Sequence, residues 1–266
     1  MGLNVAPAGE AMLIDGTDMD EPLLLPFAGG HLSYFTQRAP DKSGANEDAL
    51  GLIPWGADGG VLAVCDGLGG QPAGKQASLL ALQCLAERVV ATPTDRAGGL
   101  REAILDGIEQ ANRNIAALGV GAATTLALVE IHGRSVRSYH VGDSMILVTG
   151  QRGRIKLQTV SHSPVGYAVE SGFLDAAAAM HHEERHLISN ALGAPSMRIE
   201  IGSRIELAPR DTVLLASDGL FDNLHLPEIV DCPGFVRATR LVGTDEPTAF
   251  VTVYELDSDD AMAAGE

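Results

Sequence analysis

Two stretches of the sequence end a hydrophobic run on the same three residues, Asp-Gly-Leu. Val61 to Gly70 reads VLAVCDGLGG, and Val213 to Asp222 reads VLLASDGLFD. Asp66 and Asp218 each follow an apolar run of the kind that forms a buried strand. A carboxylate placed there is fixed at the rim of the core, and the glycine after it lets an ion or a phosphate approach the main chain. Two such carboxylates repel one another unless a cation lies between them, and Mg²⁺ and Mn²⁺ prefer oxygen ligands. The pair therefore predicts one divalent-metal site.

Four more acidic residues stand beside probable strands and could contribute ligands to the same site. They are Glu47 and Asp48 in GANEDAL, Asp143 in HVGDSMIL and Asp245 in GTDEPTAFV. Taken one at a time, each acid would more often be a turn cap or a solvated side chain. The order of the motifs along the chain therefore has to decide between the two interpretations.

That order is specific. The chain carries, in succession, NEDA, VCDGLGG, GAATTLALV, HVGDS, HEERHLISNALG, LLASDGLFDN and DEPTAFV. The series resembles the motifs of the metal-dependent serine/threonine protein phosphatases of type 2C (PPM), in particular the bacterial ones, and it runs from about Gln37 to Leu256. The resemblance implies an α+β fold, a four-layer α-β-β-α sandwich of two antiparallel sheets flanked by helices. It also implies hydrolysis of phosphoserine and phosphothreonine in proteins by a water molecule that two metal ions activate.

The resemblance further implies which residues hold the ions, which would be Mn²⁺ or Mg²⁺. Asp66 would bridge two ions, and Gly67 would give its main-chain carbonyl to one of them. Asp218 and Asp245 would bind the other ion, and Asp66 and Asp218 would be the catalytic pair.

Three further acids have weaker implied roles around these ions. Glu47 and Asp48 would hold metal-bound water, and Asp143 matches a ligand of a third, looser ion in bacterial relatives. The implied partner is a phosphoprotein, and the enzyme would oppose a serine/threonine kinase.

The sequence departs from the family pattern where substrate phosphate should bind. Family members commonly carry an arginine about three residues before the Asn of NED, and Ser43 stands there. Arg38 and Lys42 are the nearby cations, and Arg38 fits better because its planar guanidinium can bind two phosphate oxygens at once. An ion pair between Arg38 and a surface acid is an equally good interpretation. Leu68 also replaces the histidine that animal relatives carry as a general acid, so another group or water would have to protonate the leaving group.

Other chemistries fit the sequence less well. No cysteine has an arginine at the Cys-x₅-Arg spacing of a cysteine phosphatase, and Cys65 and Cys84 are interpreted as small buried hydrophobes. HHEERH lacks the HExxH order of a zinc hydrolase, and DGLGGQPAGKQAS lacks the spacing of a nucleotide-binding loop. A non-catalytic or weakly active relative that serves as a regulatory binding module stays open, because the usual arginine is missing and the segment Asn223 to Thr244 is short.

Antiparallel strands and two long helices are the elements that would position these motifs. HLSYFTQ and GVLAVC predict strands, and KQASLLALQCLAERVV and LREAILDGIEQANRNIAAL predict helices. From Ala122 onward, SVRSYHV, MILVTG, RIEIGSRIEL, TVLLAS and AFVTVYEL predict further strands. We expect a loose N-terminal arm over residues 1–30, a phosphatase domain over residues 31–256 and an acidic tail over residues 257–266.

The charge of the chain argues against polyanionic partners. Its 266 residues include 35 acidic and 18 basic side chains, for a formal net charge of −17. Nucleic acid and anionic membrane surfaces are therefore electrostatically unattractive. The first thirty residues contain no Lys or Arg, unlike a secretory signal, and no apolar run reaches the roughly 18 residues of a membrane span. We expect a cytoplasmic protein with no nucleic-acid or membrane partner.

Overall fold

Two antiparallel sheets form the centre of the fold. The computed structural model describes residues 10–38, 44–68, 73–96, 98–150, 153–224, 226 and 229, and the backbone of residues 251–256. The first sheet contains β1 (Met12–Asp15), β4 (Ala49–Pro54), β5 (Gly59–Cys65), β8 (Leu126–His132), β9 (Ser135–Val141), β12 (Glu200–Ile201) and β13 (Ile205–Glu206). Their order is β1-β4-β5-β8-β9-β12, and β13 also pairs with β9.

The second sheet brings together strands from both ends of the chain. It contains β2 (Leu23–Phe27), β3 (Gly30–Phe35), β10 (Met145–Gly150), β11 (Arg154–Gln158), β14 (Thr212–Ala216) and β15 (Val251–Leu256). Their order is β11-β10-β14-β15-β3-β2. Two very short strands, β6 (Gly67–Leu68) and β7 (Ala123–Thr124), pair separately beside the end of β5.

The two sheets pack face to face, and the first sheet is buried on both faces. In β5, Leu62 and Val64 point into the core between the sheets, whereas Val61, Ala63 and Cys65 point to the helical side. Successive side chains of a strand point to opposite faces, so a strand covered on both sides is apolar at every position. This double burial explains the uninterrupted apolar run before Asp-Gly-Leu.

Two long helices cover the outer face of the first sheet, as the sequence predicts. They are α1 (Ala73–Val90) and α2 (Gly99–Ala116). Gly107 lets the helices approach closely, because a Cβ there would lie 3.1 Å from the Cα of Leu85. Where the chain is described, three shorter helices follow: α3 (Pro164–Glu170), α4 (Ala176–Ala179) and α5 (Asp218–Phe221).

The α+β class and the two antiparallel sheets are therefore confirmed. On the outer face of the second sheet, Leu214 and Ala216 pack with Leu220 and Ile229. Leu220 and Ile229 are helical, and the four-layer sandwich stays a prediction.

The expected loose arm over residues 1–30 needs correction. Residues 12–15 pair with β4, and residues 23–27 pair with β3, so this segment supplies one strand to each sheet. Both strands are short and are flanked by acidic residues, Gly and Pro, so they leave no period long enough to detect. Residues 1–9 and the expected acidic tail lie outside the described residues.

No helix within the described residues has both the length and the apolar character that crossing a membrane requires. The cytoplasmic location stays a prediction.

Candidate metal centre

Asp66 lies at the end of β5, where two threonines hold its main chain. Its N–H donates to Thr125 Oγ1 over 3.0 Å. Its carbonyl oxygen accepts from the Thr125 N–H at 2.9 Å and from Thr124 Oγ1 at 2.8 Å. Every main-chain polar group of Asp66 is thus bonded to the adjacent β7–β8 segment. The carboxylate is left to project from a fixed backbone.

Asp218 approaches from the other sheet. It follows β14 and begins α5, directly after Ser217. The Ser217 hydroxyl donates to Asp48 Oδ2 over 3.2 Å, which links the end of β14 to the residue just before β4. The two Asp-Gly-Leu stretches therefore end strands of different sheets, and Asp218 is near enough to Asp66 to raise its pKa.

Asn46 and Ser78 position the Glu47–Asp48 pair. The buried Asn46 side chain donates to Thr36 Oγ1 at 2.7 Å and accepts from the Asp48 N–H at 3.1 Å. The Ser78 hydroxyl of α1 donates to the Glu47 carbonyl oxygen at 2.6 Å. The conformation of this pair is therefore set by β3 on one side and by α1 on the other.

Gly67 and Gly74 let two backbone segments approach closely beside Asp66, whereas the sequence predicted only that an ion or a phosphate could approach at Gly67. A Cβ on Gly67 would collide with the carbonyl group of Gly74 and would lie 2.8 Å from the carbonyl oxygen of Glu47. A Cβ on Gly74 would lie 2.8 Å from Glu47 Oε1. Glycine is required at both positions by space rather than by dihedral angles, and the first turn of α1 can lie against the Asp66–Gly67 backbone.

Asp143 belongs to a turn that follows β9. Gly142 has a φ of +104°, and a Cβ there would lie 2.8 Å from the side chain of Thr125. The hydroxyls of Thr125 and Ser144 are 2.6 Å apart. Thr125 thus contacts both the Asp66 backbone and the turn that carries Asp143, so the two acids are held by one residue.

The acids repel one another strongly. Burial raises the pKa of Asp66 well above its usual range, and the neighbouring carboxylates of Asp48, Asp218 and Asp143 raise it further. Burial also raises the pKa of Asp143 to about 7, with further contributions from Asp218 and Asp222. These mutual effects place the four predicted acids Asp48, Asp66, Asp143 and Asp218 in one electrostatic cluster.

Two buried carboxylate oxygens, one on Asp143 of this cluster and one on the neighbouring Glu47, fit a bound cation. Glu47 Oε1 and Asp143 Oδ1 are buried and make no hydrogen bond within the described residues. A buried carboxylate oxygen without a partner is costly, and a hard divalent ion would satisfy it. Among the described residues, no basic side chain contributes to the shifted pKa values of Asp66 or Asp143. The donor set therefore matches Mg²⁺ or Mn²⁺.

Comparison with known proteins identifies the family. The family model described as Protein phosphatase 2C matches residues 40–247. The chain belongs to this family. Protein phosphatase PhpP of Streptococcus pneumoniae is 31% identical over 178 residues, which cover 64% of this chain and 71% of that protein.

Solved structures of family members share the fold. The serine/threonine phosphatase of S. agalactiae superposes with a TM-score of 0.73 at 26% identity, over 85% of this chain and 99% of that one. The catalytic domain of the serine/threonine protein phosphatase PstP, solved in complex with two manganese ions, gives a TM-score of 0.64 at 25% identity, over 85% and 98%. The chain is thus a type 2C phosphatase family member in both sequence and fold.

In this type 2C family member, Arg38 forms an ion pair with Asp18. Its Nε lies 3.0 Å from Asp18 Oδ2, and its Nη1 donates to the Gly44 carbonyl oxygen at 2.7 Å. The guanidinium is nevertheless half-exposed. Two other predicted site residues, Lys42 and Asp245, lie outside the described residues.

Sequence reasoning missed a cavity beside the acids. A cavity of about 460 Å³ extends from Asp143 and Asp218 to the segment 163–189, which we call the flap. Nε of Arg185, in the flap, lies 3.7 Å from Oδ2 of Asp222, which follows β14. Nη1 of the same arginine donates to the Met180 carbonyl oxygen at 2.6 Å. The HEERH stretch contains this arginine, but nothing in its pattern indicates a partner 37 residues further along the chain.

Proposed function

We propose that this chain is a metal-dependent protein phosphatase that hydrolyses phosphoserine and phosphothreonine in phosphoproteins. The observation that carries the proposal is the group of carboxylates from separate elements at one end of both sheets, with two buried oxygens that make no hydrogen bond within the described part of the chain. The family membership supports it independently. A non-catalytic binding module would have no use for this group, because clustered carboxylates destabilise a protein that holds no cation.

The residues that would hold the ions are the acids of the site and the main-chain carbonyl of Gly67. Asp66 and the Gly67 carbonyl would bind one ion, Asp66 and Asp218 the other, and Glu47 and Asp48 would act through water. Bound Mn²⁺ or Mg²⁺ ions supply an activated water nucleophile at neutral pH and neutralise charge on the phosphoryl oxygens. Two such ions are proposed, and a third would use Asp143. Asp245 stays a proposed ligand.

The chain's own residues fix the geometry of this site. Thr124 and Thr125 hold the Asp66 backbone, and the contact between Ser217 and Asp48 fixes the two sheets relative to one another at the site. Leu68 offers no titratable group, so a proton for the leaving group has to come from water or from another side chain. We also propose the four-layer α-β-β-α sandwich, which the apolar contacts on the outer face of the second sheet support.

The first test is a substitution of the bridging acid. Wild-type protein should hydrolyse p-nitrophenyl phosphate and a phosphothreonine peptide with Mn²⁺, and EDTA should abolish both activities. Asp66→Asn should lower kcat by at least about 100-fold while leaving the fold intact, because a ligand at the centre of the site is lost. Asp58→Asn is the matched control, since Asp58 also precedes a glycine but lies in the turn before β5.

Two results would contradict the proposal. Near-normal Mn²⁺-dependent activity in Asp66→Asn would remove the bridging role. Wild-type protein without phosphatase activity in saturating Mn²⁺ would favour the regulatory module.

Arg38 and Lys42 are the proposed cations for substrate phosphate. Arg38 contacts the Gly44 carbonyl, three residues before Glu47, and keeps part of its guanidinium exposed. A charge-assisted hydrogen bond contributes roughly 1.5–3 kcal/mol, so Arg38→Ala should lower kcat/KM on a phosphopeptide by about 10- to 150-fold. Lys42→Ala should have a smaller effect, because an ammonium group binds as a point charge.

Asp18→Asn separates phosphate binding from a structural role of Arg38. It removes the ion pair but leaves the guanidinium in place. If Arg38 binds phosphate, Asp18→Asn keeps kcat/KM, whereas Arg38→Ala does not. If neither Arg38→Ala nor Lys42→Ala lowers kcat/KM by more than about threefold, phosphate capture by these residues is wrong.

A further inference from the structure

His162 bonds both main-chain groups of the residue that precedes Asp143. Its own N–H donates to the Gly142 carbonyl oxygen at 2.8 Å. Its ring Nδ1 accepts from the Gly142 N–H at 3.0 Å. Gly142 is held from the other side by Thr125, which leaves no room for a Cβ. The turn that carries Asp143 is therefore fixed between two side chains.

The backbone donor fixes the tautomer of His162. Because the Gly142 N–H points at Nδ1, that nitrogen must present its lone pair, and the neutral ring carries its hydrogen on Nε2. Nε2 lies 3.1 Å from Glu200 Oε2, which accepts that hydrogen. Glu200 is placed there by the pairing of β12 with β9, in which it lies opposite His140.

His140, His162 and Glu200 are spaced like the ligands of a metal site, but the hydrogen on His162 Nε2 does not fit one. Ligand atoms of His140, His162 and Glu200 all lie within 4.8 Å of one another. In metal sites, however, the non-ligating nitrogen of a histidine usually donates its hydrogen to an acceptor. At His162 that nitrogen is itself the acceptor of an N–H, so Nε2 keeps its hydrogen for Glu200 and is not free to ligate.

His140 forms an uncharged surface under the His162 ring. The two ring centroids are 4.4 Å apart, and His140 is fully buried. Burial lowers the pKa of His140 to about 3, with a further contribution from His162, so His140 is neutral at physiological pH. His162 thus packs its face against an uncharged ring and makes its polar contacts at its edges.

His162 also connects the two ends of the flap. Its carbonyl oxygen accepts from the Ser189 N–H at 2.7 Å. The Asn190 amide nitrogen lies 3.0 Å from His162 Nδ1 and donates to the Arg198 carbonyl oxygen at 2.7 Å. The next residue in the chain, Ser163, caps α3 by accepting from the Gly166 N–H at 2.9 Å. One residue therefore contacts the start of the flap, its end and the Asp143 turn.

We propose that His162 is a positioning residue that holds Asp143 at the metal centre and couples this acid to the flap. It touches neither the substrate nor a proposed ligand atom, and it acts through the main chain of Gly142. The inference rests on the proposed role of Asp143 as a metal ligand.

The test replaces the ring with side chains that keep or lose the acceptor. His162→Leu fills a similar volume without an acceptor, whereas Asn can place Oδ1 where Nδ1 of histidine lies. The readout is the Mn²⁺ concentration for half-maximal hydrolysis of p-nitrophenyl phosphate. His162→Leu should raise it by about 10- to 100-fold, the usual range for a residue that orients a ligand. His162→Asn should recover most of this loss, and His186→Leu, on the exposed flap surface, should match wild type.

A second readout needs no metal. In EDTA, hydrogen exchange of the main-chain amides of residues 142–144 should speed up in His162→Leu and stay slow in His162→Asn. If His162→Leu is too unstable to purify, Glu200→Leu should raise the Mn²⁺ requirement in the same direction, and Glu200→Gln, which keeps an acceptor for the Nε2 hydrogen, should not.

Asp143→Asn shows whether a negative result contradicts the positioning role of His162 or the ligand role of Asp143. If Asp143→Asn raises the Mn²⁺ requirement and His162→Leu does not, the positioning role is wrong although the ligand assignment stands. If Asp143→Asn leaves the requirement unchanged, the ligand assignment itself fails, and the inference is overturned with it. Equal effects of His162→Leu and His162→Asn on both readouts would also overturn it, because the acceptor would then be irrelevant.

Discussion

Asp143 lies in the turn after β9 with one carboxylate oxygen buried and, within the described residues, without a hydrogen-bond partner. Burial and the neighbouring acids Asp218 and Asp222 raise its pKa from 3.8 to about 7. Between these two pH values the folded protein binds more protons than the unfolded chain, so stability falls as pH rises through this window. Above pH 7 the carboxylate is charged in the folded protein as well, and the loss of stability that it causes in the metal-free fold has reached its full size. An arrangement that suits a cation therefore lowers stability when no cation is bound.

Asp143→Asn should consequently stabilise the metal-free protein. At pH 8 in EDTA we expect its free energy of unfolding to rise by about 1–3 kcal/mol, within the usual range for single substitutions. At pH 5 the gain should be less than half as large, because Asp143 is then protonated in the folded state and only its ionisation in the unfolded chain still contributes. Urea unfolding at both pH values measures this. A gain of equal size at pH 5 and pH 8 would mean that charge is not its cause.

The strand-end positions of Asp66 and Asp218 were predictable from the sequence because each depends on a local pattern. Asp66 and Asp218 each follow a strand that is recognisable from a continuous apolar run. Partners that are distant in sequence were not predictable in the same way. Arg38 meets Asp18 and His162 meets Gly142, and these pairs depend on how β-strands bring remote residues together.

At the scale of elements, the sequence predicted those strands whose hydrophobic pattern is long enough to recognise. Strands β9 and β10 coincide with SVRSYHV and MILVTG, and a Gly-Asp turn separates them. RIEIGSRIEL predicts strand structure as well, but within it only residues 200–201 and 205–206 pair with β9 as strands. The edge strands β1 and β2 were missed because four or five residues carry too little signal.

The flap illustrates a different limit. Its helices α3 and α4 are only seven and four residues long, and the described residues of α4 include no buried side chain. Short helices of this kind depend on caps, here Ser163 and Asp175, and on tertiary contacts more than on amphipathic pattern. A contact between His162 and Asn190, on either side of the flap, holds its ends together.

At the scale of the whole molecule, the formal net charge of −17 adds a long-range field to the local chemistry. Acidic residues that do not bind metal still lower the local concentration of anions and raise that of cations. A phosphate monoester carries nearly two negative charges, so the field opposes the approach of an isolated phosphate group. Basic residues beside the phosphorylated residue would offset this repulsion before any specific contact forms.

Phosphothreonine peptides flanked by Arg and Lys should therefore be better substrates than peptides of equal length flanked by Asp and Glu. Electrostatic steering changes association rates by about 10- to 1,000-fold, so we expect at least a tenfold ratio of kcat/KM at low ionic strength. The Debye length falls from about 30 Å at 0.01 M to about 3 Å at 1 M salt, so the ratio should approach one as NaCl is raised. p-Nitrophenyl phosphate, which lacks flanking residues, controls for direct effects of salt on the metal centre. A peptide preference that persists unchanged in 1 M NaCl would assign the selectivity to contacts in the cavity beside the flap instead of to the field of the molecule.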